Sequence, residues 1–496
     1  MNDPDRDSDE FVRRRRRLDI GSDPSLASFR GREVGRHHNM QPGPRTTFFF
    51  LPPTFGGQRS IITMRSFETL SSELVLMILQ HLSTPKDLHS TIRASPVYLA
   101  VFRNNKPRIL AIIIRRSFSP ILRDAVLALC ASPASTTTIR PSLAHLKYHK
   151  QEEMNAILLD PAVSIPLCRL WRIVSCFVDS YCQGPLARLQ NCTQRWNQKS
   201  EDRPLRTLSD DERHRLQRAF VRFETYRRRF GGPDRSVWRD TRPSQTTEQN
   251  AITEQHRTFV GRFSAWELEE LHSVYDYLVS MVEDTVDGLE SRLFADLQTA
   301  SKEDDENLGA YTEQYDLDLI GLSMFQQDAK QSNQIAYMVE LGLPFLQRMR
   351  EMNMNDRMAT VASFAGKNRN PSLGHVLQDV PGLTMHSNKE AAAASEDPIN
   401  RANVGWLWRQ PAWQDSGVSQ SYGLRSLGYA FWDEERLVEA GLLGLGSLPK
   451  RTARDANPSV ERRLQGVRIR EGALCKLQPS RQRRVEMEDW LEEIDY

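Results

Sequence analysis

The stretch Phe67–Phe102, FETLSSELVLMILQHLSTPKDLHSTIRASPVYLAVF, decides the fold class. Ser71 or Ser72 can cap a helix, and Glu73 places a carboxylate in its first turn, where the helix dipole favours negative charge. Leu74, Val75, Leu76, Met77, Ile78, Leu79 and Leu82 follow and cover well over half of a helical wheel, leaving Glu73, Gln80 and His81 as the polar remainder. A helix so apolar must be buried on more than one side. Thr84-Pro85 and Ser95-Pro96 each repeat a cap followed by proline at the first helical position. They open a second helix carrying Leu88 and Ile92, and a third carrying Val97, Leu99, Val101 and Phe102. Three helices in so short a span are too small to stand alone. Leu70, Leu74, Ile78, Leu82 and Leu88 cannot all face a three-helix core, so those left over predict an exposed apolar patch.

Outward from this stretch the pattern stays helical. Ser209 and Glu212 form a capping box, Leu216, Ala219, Phe220, Phe223, Tyr226 and Phe230 share one stripe, and Gly231-Gly232 supplies the stop. Phe259, Phe263, Trp266, Leu271, Val274, Tyr275 and Leu278 mark another helical segment. Gly342 and Pro344 break the apolar run Ile335–Met349 into two helices at a tight joint. Few windows alternate with period two. The expected architecture is mainly α. Residues 1–63 read as a disordered tail, 64–106 as a three-helix module, 107–447 as a larger irregular helical domain, and 448–496 as a charged tail. Ser132–Pro141, Asp240–Glu254 and Asn368–Asn400 read as loops. Met64, just before the module, is an alternative start to the chain.

With 496 residues, two or more domains are expected. A net charge of +2 does not argue for a nucleic-acid or membrane partner. The polar N-terminus lacks the apolar core of a secretory signal, and the aliphatic run Ile109–Ile114 is far too short to cross a bilayer. Six cysteines without a C-x-x-C pair read as reduced thiols, which points to cytoplasm or nucleus.

Leu70, Glu73, Leu74, Ile78, Leu79, Leu82, Asp87 and Leu88, continuing into Ile92-Arg93-Ala94-Ser95-Pro96, Tyr98 and Phe102, resemble the F-box as found in large families of fungal proteins. Ser71 stands where most F-boxes have proline. Arg213–Gly231, Phe259–Leu278, Leu341–Leu346 and Gly428–Leu437 are similar to later segments of the same proteins. The resemblance implies that these eight residues dock on a Skp-type adaptor of a cullin ubiquitin ligase, and that the remainder recruits a protein substrate it does not name.

Other candidates read as structural. Arg218, Arg222 and Arg229 look like a solvated face, and Glu269 and Glu270, like Asp304 and Asp305, are adjacent carboxylates that diverge on a helix. His145 and His149 share the i, i+4 spacing of metal ligands but lack a third. Cys168 and Cys176 read as small buried hydrophobes. No phosphate-binding loop, dinucleotide fingerprint or nucleophile elbow occurs, so no enzyme, cofactor or metal is expected. Trp406, Trp408, Trp413, Tyr422, Tyr429, Phe431 and Trp432 read first as a core where the C-terminal segment packs back. The functional alternative makes Trp406, Trp408, Trp413 and Trp432 a substrate surface. A weaker reading of the whole chain is a nuclear nucleic-acid binder using the run Arg13–Arg17 and the basic 213–229 helix.

Overall fold

The computed structural model describes residues 70–131, 151–196, 207–231, 245–303, 328–364, 372–378, 401–409 and 423–443. The chain divides into two units, Met1–Met64 and Arg65–Tyr496, and everything described lies in the second. Among the described residues all regular structure is helical and no strand occurs, as the periodicity predicts.

The first three helices are α1 (Ser72–His81), α2 (Pro85–Ala94) and α3 (Pro96–Phe118). Their starts follow the expected capping chemistry. The Thr84 hydroxyl accepts the Asp87 N–H at 3.1 Å, and the Ser95 hydroxyl accepts that of Val97 at 3.2 Å. The expected module boundary at residues 106/107 falls inside α3. Pro107 has no N–H to donate, and the backbone leaves helical geometry at Asn105 (φ −121°, ψ 18°). The helix resumes because Ile109, Ile113, Ile114 and Phe118 enter the common core. Module and helical domain therefore share one helix and one core.

Next come α4 (Leu122–Cys130), α5 (Gln151–Leu159) and α6 (Pro161–Trp196). Within α6, Pro161–Asn191 is long and apolar enough to cross a membrane by length and composition. Its Val163, Leu167, Leu170, Val174, Phe177 and Tyr181 pack into the core, while Arg169, Arg172 and Asp179 are exposed. This is the one-sided pattern of an amphipathic helix.

At the centre lies α7 (Asp210–Phe230), packed against α4, α6 and the later α9. Its capping box is present: Ser209 Oγ accepts from Glu212 N, and the Glu212 carboxylate accepts from Ser209 N. The predicted stripe is buried except Phe230, which is half-buried. The opposite face is buried too, and this overturns the expected solvated arginines: Arg218 is 1% exposed and Arg222 is 7% exposed, while Arg229 is half-buried.

After α7 come α8 (Gln245–Thr258), a 3₁₀ turn (Val260–Arg262) and the long α9 (Ala265–Glu303). The expected loop Asp240–Glu254 is largely replaced by α8, which buries Ile252 and Gln255 and takes a 2.7 Å hydrogen bond from the Tyr226 hydroxyl to Gln255. α10 (Asp328–Glu340) and α11 (Leu343–Glu351) meet at Gly342, whose φ of 95° needs glycine, as the sequence predicts. α12 (Met354–Ala362) follows, and α13 (Leu373–Gln378) forms inside another expected loop because Leu373, Val376 and Leu377 reach the core. Finally α14 (Val404–Arg409) and α15 (Glu434–Glu439) return to the bundle.

Candidate protein-docking face and the charged interior

The residues on α1 divide sharply. Val75 and Leu79 are fully buried, and Leu88 of α2 is 3% exposed. Leu79 and Leu88 hold the module onto the core and are buried within the chain itself. By contrast Leu74 is 48% and Met77 54% exposed, with Ile78 and Leu82 half-buried. Leu74, Met77, Ile78 and His81 are spaced i, i+3, i+4, i+7, so they share one face. Met77 was readable as part of this stripe from its spacing to Leu74, but the family pattern passes over it. Leu70 is half-buried beside the core at the start of the face.

Two acids expected at the docking site have local duties. The Glu73 carboxylate is exposed; its own backbone N–H and the hydroxyls of Ser71 and Ser72 hold it below the ordinary carboxylate range. Asp87 is exposed and accepts the Thr84 hydroxyl at 2.7 Å, which steadies the start of α2. The C-terminal end of α1 is fastened from α3. Arg116 Nη1 donates to the carbonyls of His81 and Leu82, both at 2.8 Å, and the Ser117 hydroxyl donates to the Ser83 carbonyl at 3.2 Å. These bonds satisfy carbonyls that a helix end leaves without partners.

The interior around α7 holds ion pairs that local pattern conceals. Arg218 donates to Glu270 of α9 at 2.8–3.2 Å, and Arg222 to Glu267 at 2.7 Å with Asp124 of α4 at 3.4 Å. Glu212 receives Arg436 of α15 at 2.7 and 2.8 Å, and Glu224 takes Arg228 at 2.8 Å and the Leu343 N–H at 3.2 Å. Glu269 faces Arg409 at 2.9 Å and Arg425 at 3.5 Å. Glu269 and Glu270 are thus buried and partnered, where solvation was expected. Burial opposes ionisation of Glu267 and Glu269, yet Arg222 and Arg218 hold the first, and Arg425 and Arg409 the second, down to about 2. Neither is a proton donor near neutrality. A carboxylate drawn to a buried guanidinium in this way ties helices together.

Cys168 is half-buried and Cys182 buried, and burial pushes their thiols up to about 11 and about 12, the reverse of an activated thiolate. Cys176 is exposed, against the expected burial. Among the described residues no three His, Cys, Asp or Glu side chains are grouped as a metal would need. His145, His149, Asp304, Asp305, Trp413, Tyr422 and the run Arg13–Arg17 lie outside the described residues.

Of the tryptophans expected at a substrate surface, Trp406 and Trp432 are interior. Trp432 is fully buried, with its Nε1–H on the Leu427 carbonyl at 2.6 Å, and Trp406 is 6% exposed in an edge contact with Trp266. Trp408 is half-buried against Leu424, Tyr429 and Ala430. They close the core, as the first reading of that cluster expects. Beside them Arg401, Asn403, Leu407, Ser209, Arg215 and Asp433 belong to the lining of a cleft of about 750 Å³. Nothing in the sequence pattern marks it, because its walls lie some two hundred residues apart along the chain.

Comparison with protein-family models, with curated proteins and with solved structures returns no match.

Proposed function

We propose that the chain is an F-box-like substrate receptor, docking on a Skp-type adaptor of a cullin ubiquitin ligase and recruiting a protein target. The observation that carries the reading is the outward face of α1. Large apolar side chains at Leu74 and Met77 stand in solvent on a helix whose other side is locked into the core. A contiguous apolar patch of this kind marks an interaction site, and a helix face is a common way to fill a partner's groove. The resemblance at Leu70–Leu88 names the partner. Ubiquitin transfer then belongs to other subunits, and this chain contributes proximity, holding a target lysine near the charged carrier. A shared helix α3 suits that task, since it ties the docking face to the rest of the molecule without a flexible linker.

The test is co-purification of the tagged chain with the adaptor beside a Leu74→Asp, Met77→Asp variant. Because both side chains are exposed, the variant keeps its circular dichroism spectrum and unfolding midpoint. Its capture of adaptor falls at least tenfold, since a charge desolvated without a partner costs several kcal/mol. If the folded parent captures no adaptor, the ligase reading fails, and the face serves a scaffold that has no ligase role.

A further inference from the structure

Among the described residues the exposed large apolar side chains are Leu74, Met77, Leu159, Leu407 and Val438. Only Leu74 and Met77 share a helix, where they run with Ile78 and His81 along one face of α1. The charge around these positions differs. Leu159 lies beside Asp160 on a helix that also carries Glu152 and Glu153. Leu407 lines the cleft with Asp211, Glu434 and Glu435, and Val438 adjoins Glu439. Residues 72–118 of α1–α3 are the opposite: they hold seven lysines and arginines, six of them exposed, against two acids, Glu73 and Asp87. One of the exposed arginines, Arg116, is anchored at the C-terminal end of α1 by its bonds to the His81 and Leu82 carbonyls. The outward face of α1 is thus an apolar stripe two turns long set in a basic stretch.

The same chain carries a counterpart. Val485–Tyr496, VEMEDWLEEIDY, lies outside the described residues and holds six acids and no lysine or arginine. Its Met487, Trp490, Leu491 and Ile494 are spaced i, i+3, i+4, i+7, as Leu74, Met77, Ile78 and His81 are. On a helix both stripes would be about 10.5 Å long. We infer that residues 485–496 dock on the outward face of α1 as an acidic amphipathic helix and compete with the adaptor for it. The apolar stripe covers Leu74, Met77 and Ile78, and the carboxylates flanking it meet the basic residues of α1–α3. Charge complementarity selects this face over Leu159, Leu407 and Val438, whose neighbours are acidic. Residues 444–484, which join the segment to the last described residue, Leu443, can span at most about 140 Å, several times the size of a domain. A tethered segment acts at an effective concentration on the order of 1 mM, so a contact too weak to persist between separate molecules still covers the face for much of the time. Docking is therefore autoinhibitory, weakening adaptor capture without abolishing it. That consequence rests on the receptor reading, whereas the contact within the chain does not.

The experiment places a photo-crosslinking phenylalanine analogue at position 77 of the full chain, where the exposed side chain tolerates exchange. Irradiation and peptide mapping are expected to join position 77 to residues 485–496 of the same chain, with a yield that falls in high salt. Trp490→Asp with Leu491→Asp lowers the yield at least fivefold. Glu492→Lys with Glu493→Lys, which keeps the apolar stripe and reverses its charge, lowers it as well. In the chain with Met77 retained, Trp490→Asp with Leu491→Asp raises adaptor affinity at least threefold, a gain that misfolding would not give. No crosslink to residues 485–496, a crosslink only between two copies, or a yield indifferent to both pairs of substitutions overturns the docking. An intact crosslink with adaptor affinity unchanged by the Trp490 and Leu491 substitutions overturns the competition. If neither the parent nor that variant binds adaptor while the crosslink forms, the receptor reading fails and the contact within the chain stands.

Discussion

Arg218 carries its guanidinium into the interior on a helix whose residues 215–226 are all buried, and Glu270 receives it through contacts of 2.8–3.2 Å. Removing two such charges from water costs several kcal/mol each, and their mutual attraction offsets this only when the geometry is good. The pair is therefore asymmetric under mutation. Arg218→Met leaves a buried carboxylate without its partner and destabilises the chain by roughly 3–5 kcal/mol. Arg218→Met combined with Glu270→Leu restores most of that loss, because an apolar pair of similar size needs no compensation. Urea unfolding of the two single variants and the double variant checks this, and a double variant as unstable as the sum of the singles contradicts it. Residue-level reading of the sequence assigned Arg218 to solvent for a sound local reason. Helix-surface arginines usually point outward, and the partner that reverses this lies 52 residues away on α9.

At the scale of elements, caps and breaks are local chemistry and were largely legible. Thr84, Ser95, Ser209 and Gly342 act where the sequence places them, because each interaction closes within four residues. What local chemistry does not reveal is which side of α1 is turned inward. Leu79 and Met77 are both apolar and two residues apart, yet one is fully buried and the other mostly exposed. Leu79→Ala is expected to cost roughly 2–5 kcal/mol, the range for a truncated core side chain. Met77→Ala is expected to change stability by less than about 0.5 kcal/mol. Denaturant midpoints of the two variants separate them directly. α8 and α13 were missed for the converse reason: both stretches are locally polar or rich in turn-formers, and they become helical where Ile252, Leu373 and Val376 find the core.

The molecule as a whole is held by charged side chains from distant segments, and this gives its stability a pH signature. Glu267 and Glu269 titrate near 2 in the fold against an ordinary value of about 4.5. Folded-state values below the unfolded ones mean that their contribution is complete above pH 4.5 and is lost as pH falls toward 2. Together they account for on the order of 3–6 kcal/mol. His272, which burial holds below 6.5, adds a loss that begins as pH drops under 6.5. Glu270, which burial raises despite Arg218, works in the opposite sense and softens the fall. Urea midpoints measured from pH 7 to pH 3 are therefore expected to decline, most steeply below pH 4.5. A flat profile over that range contradicts the interior pairs.

By itself the sequence determined that the chain is mainly helical, where α1, α2, α3 and α7 start and where α10 gives way to α11, that α1 carries more apolar side chains than one core-facing side can hold, and that the C-terminal aromatics pack back onto the bundle. Those features depend on contacts within a turn or on composition, so they can be read along the chain. Only the tertiary structure decided that the middle of α7, residues 215–226, is enclosed on every side, that Leu74 and Met77 form the outward face, and that a cleft opens between the starts of α7, α14 and α15. Its floor joins Glu212 to Arg436, residues separated by 224 positions. A charge is tolerable inside a protein only when a particular opposite charge arrives beside it. No periodicity encodes that arrival, since it depends on how distant helices pack.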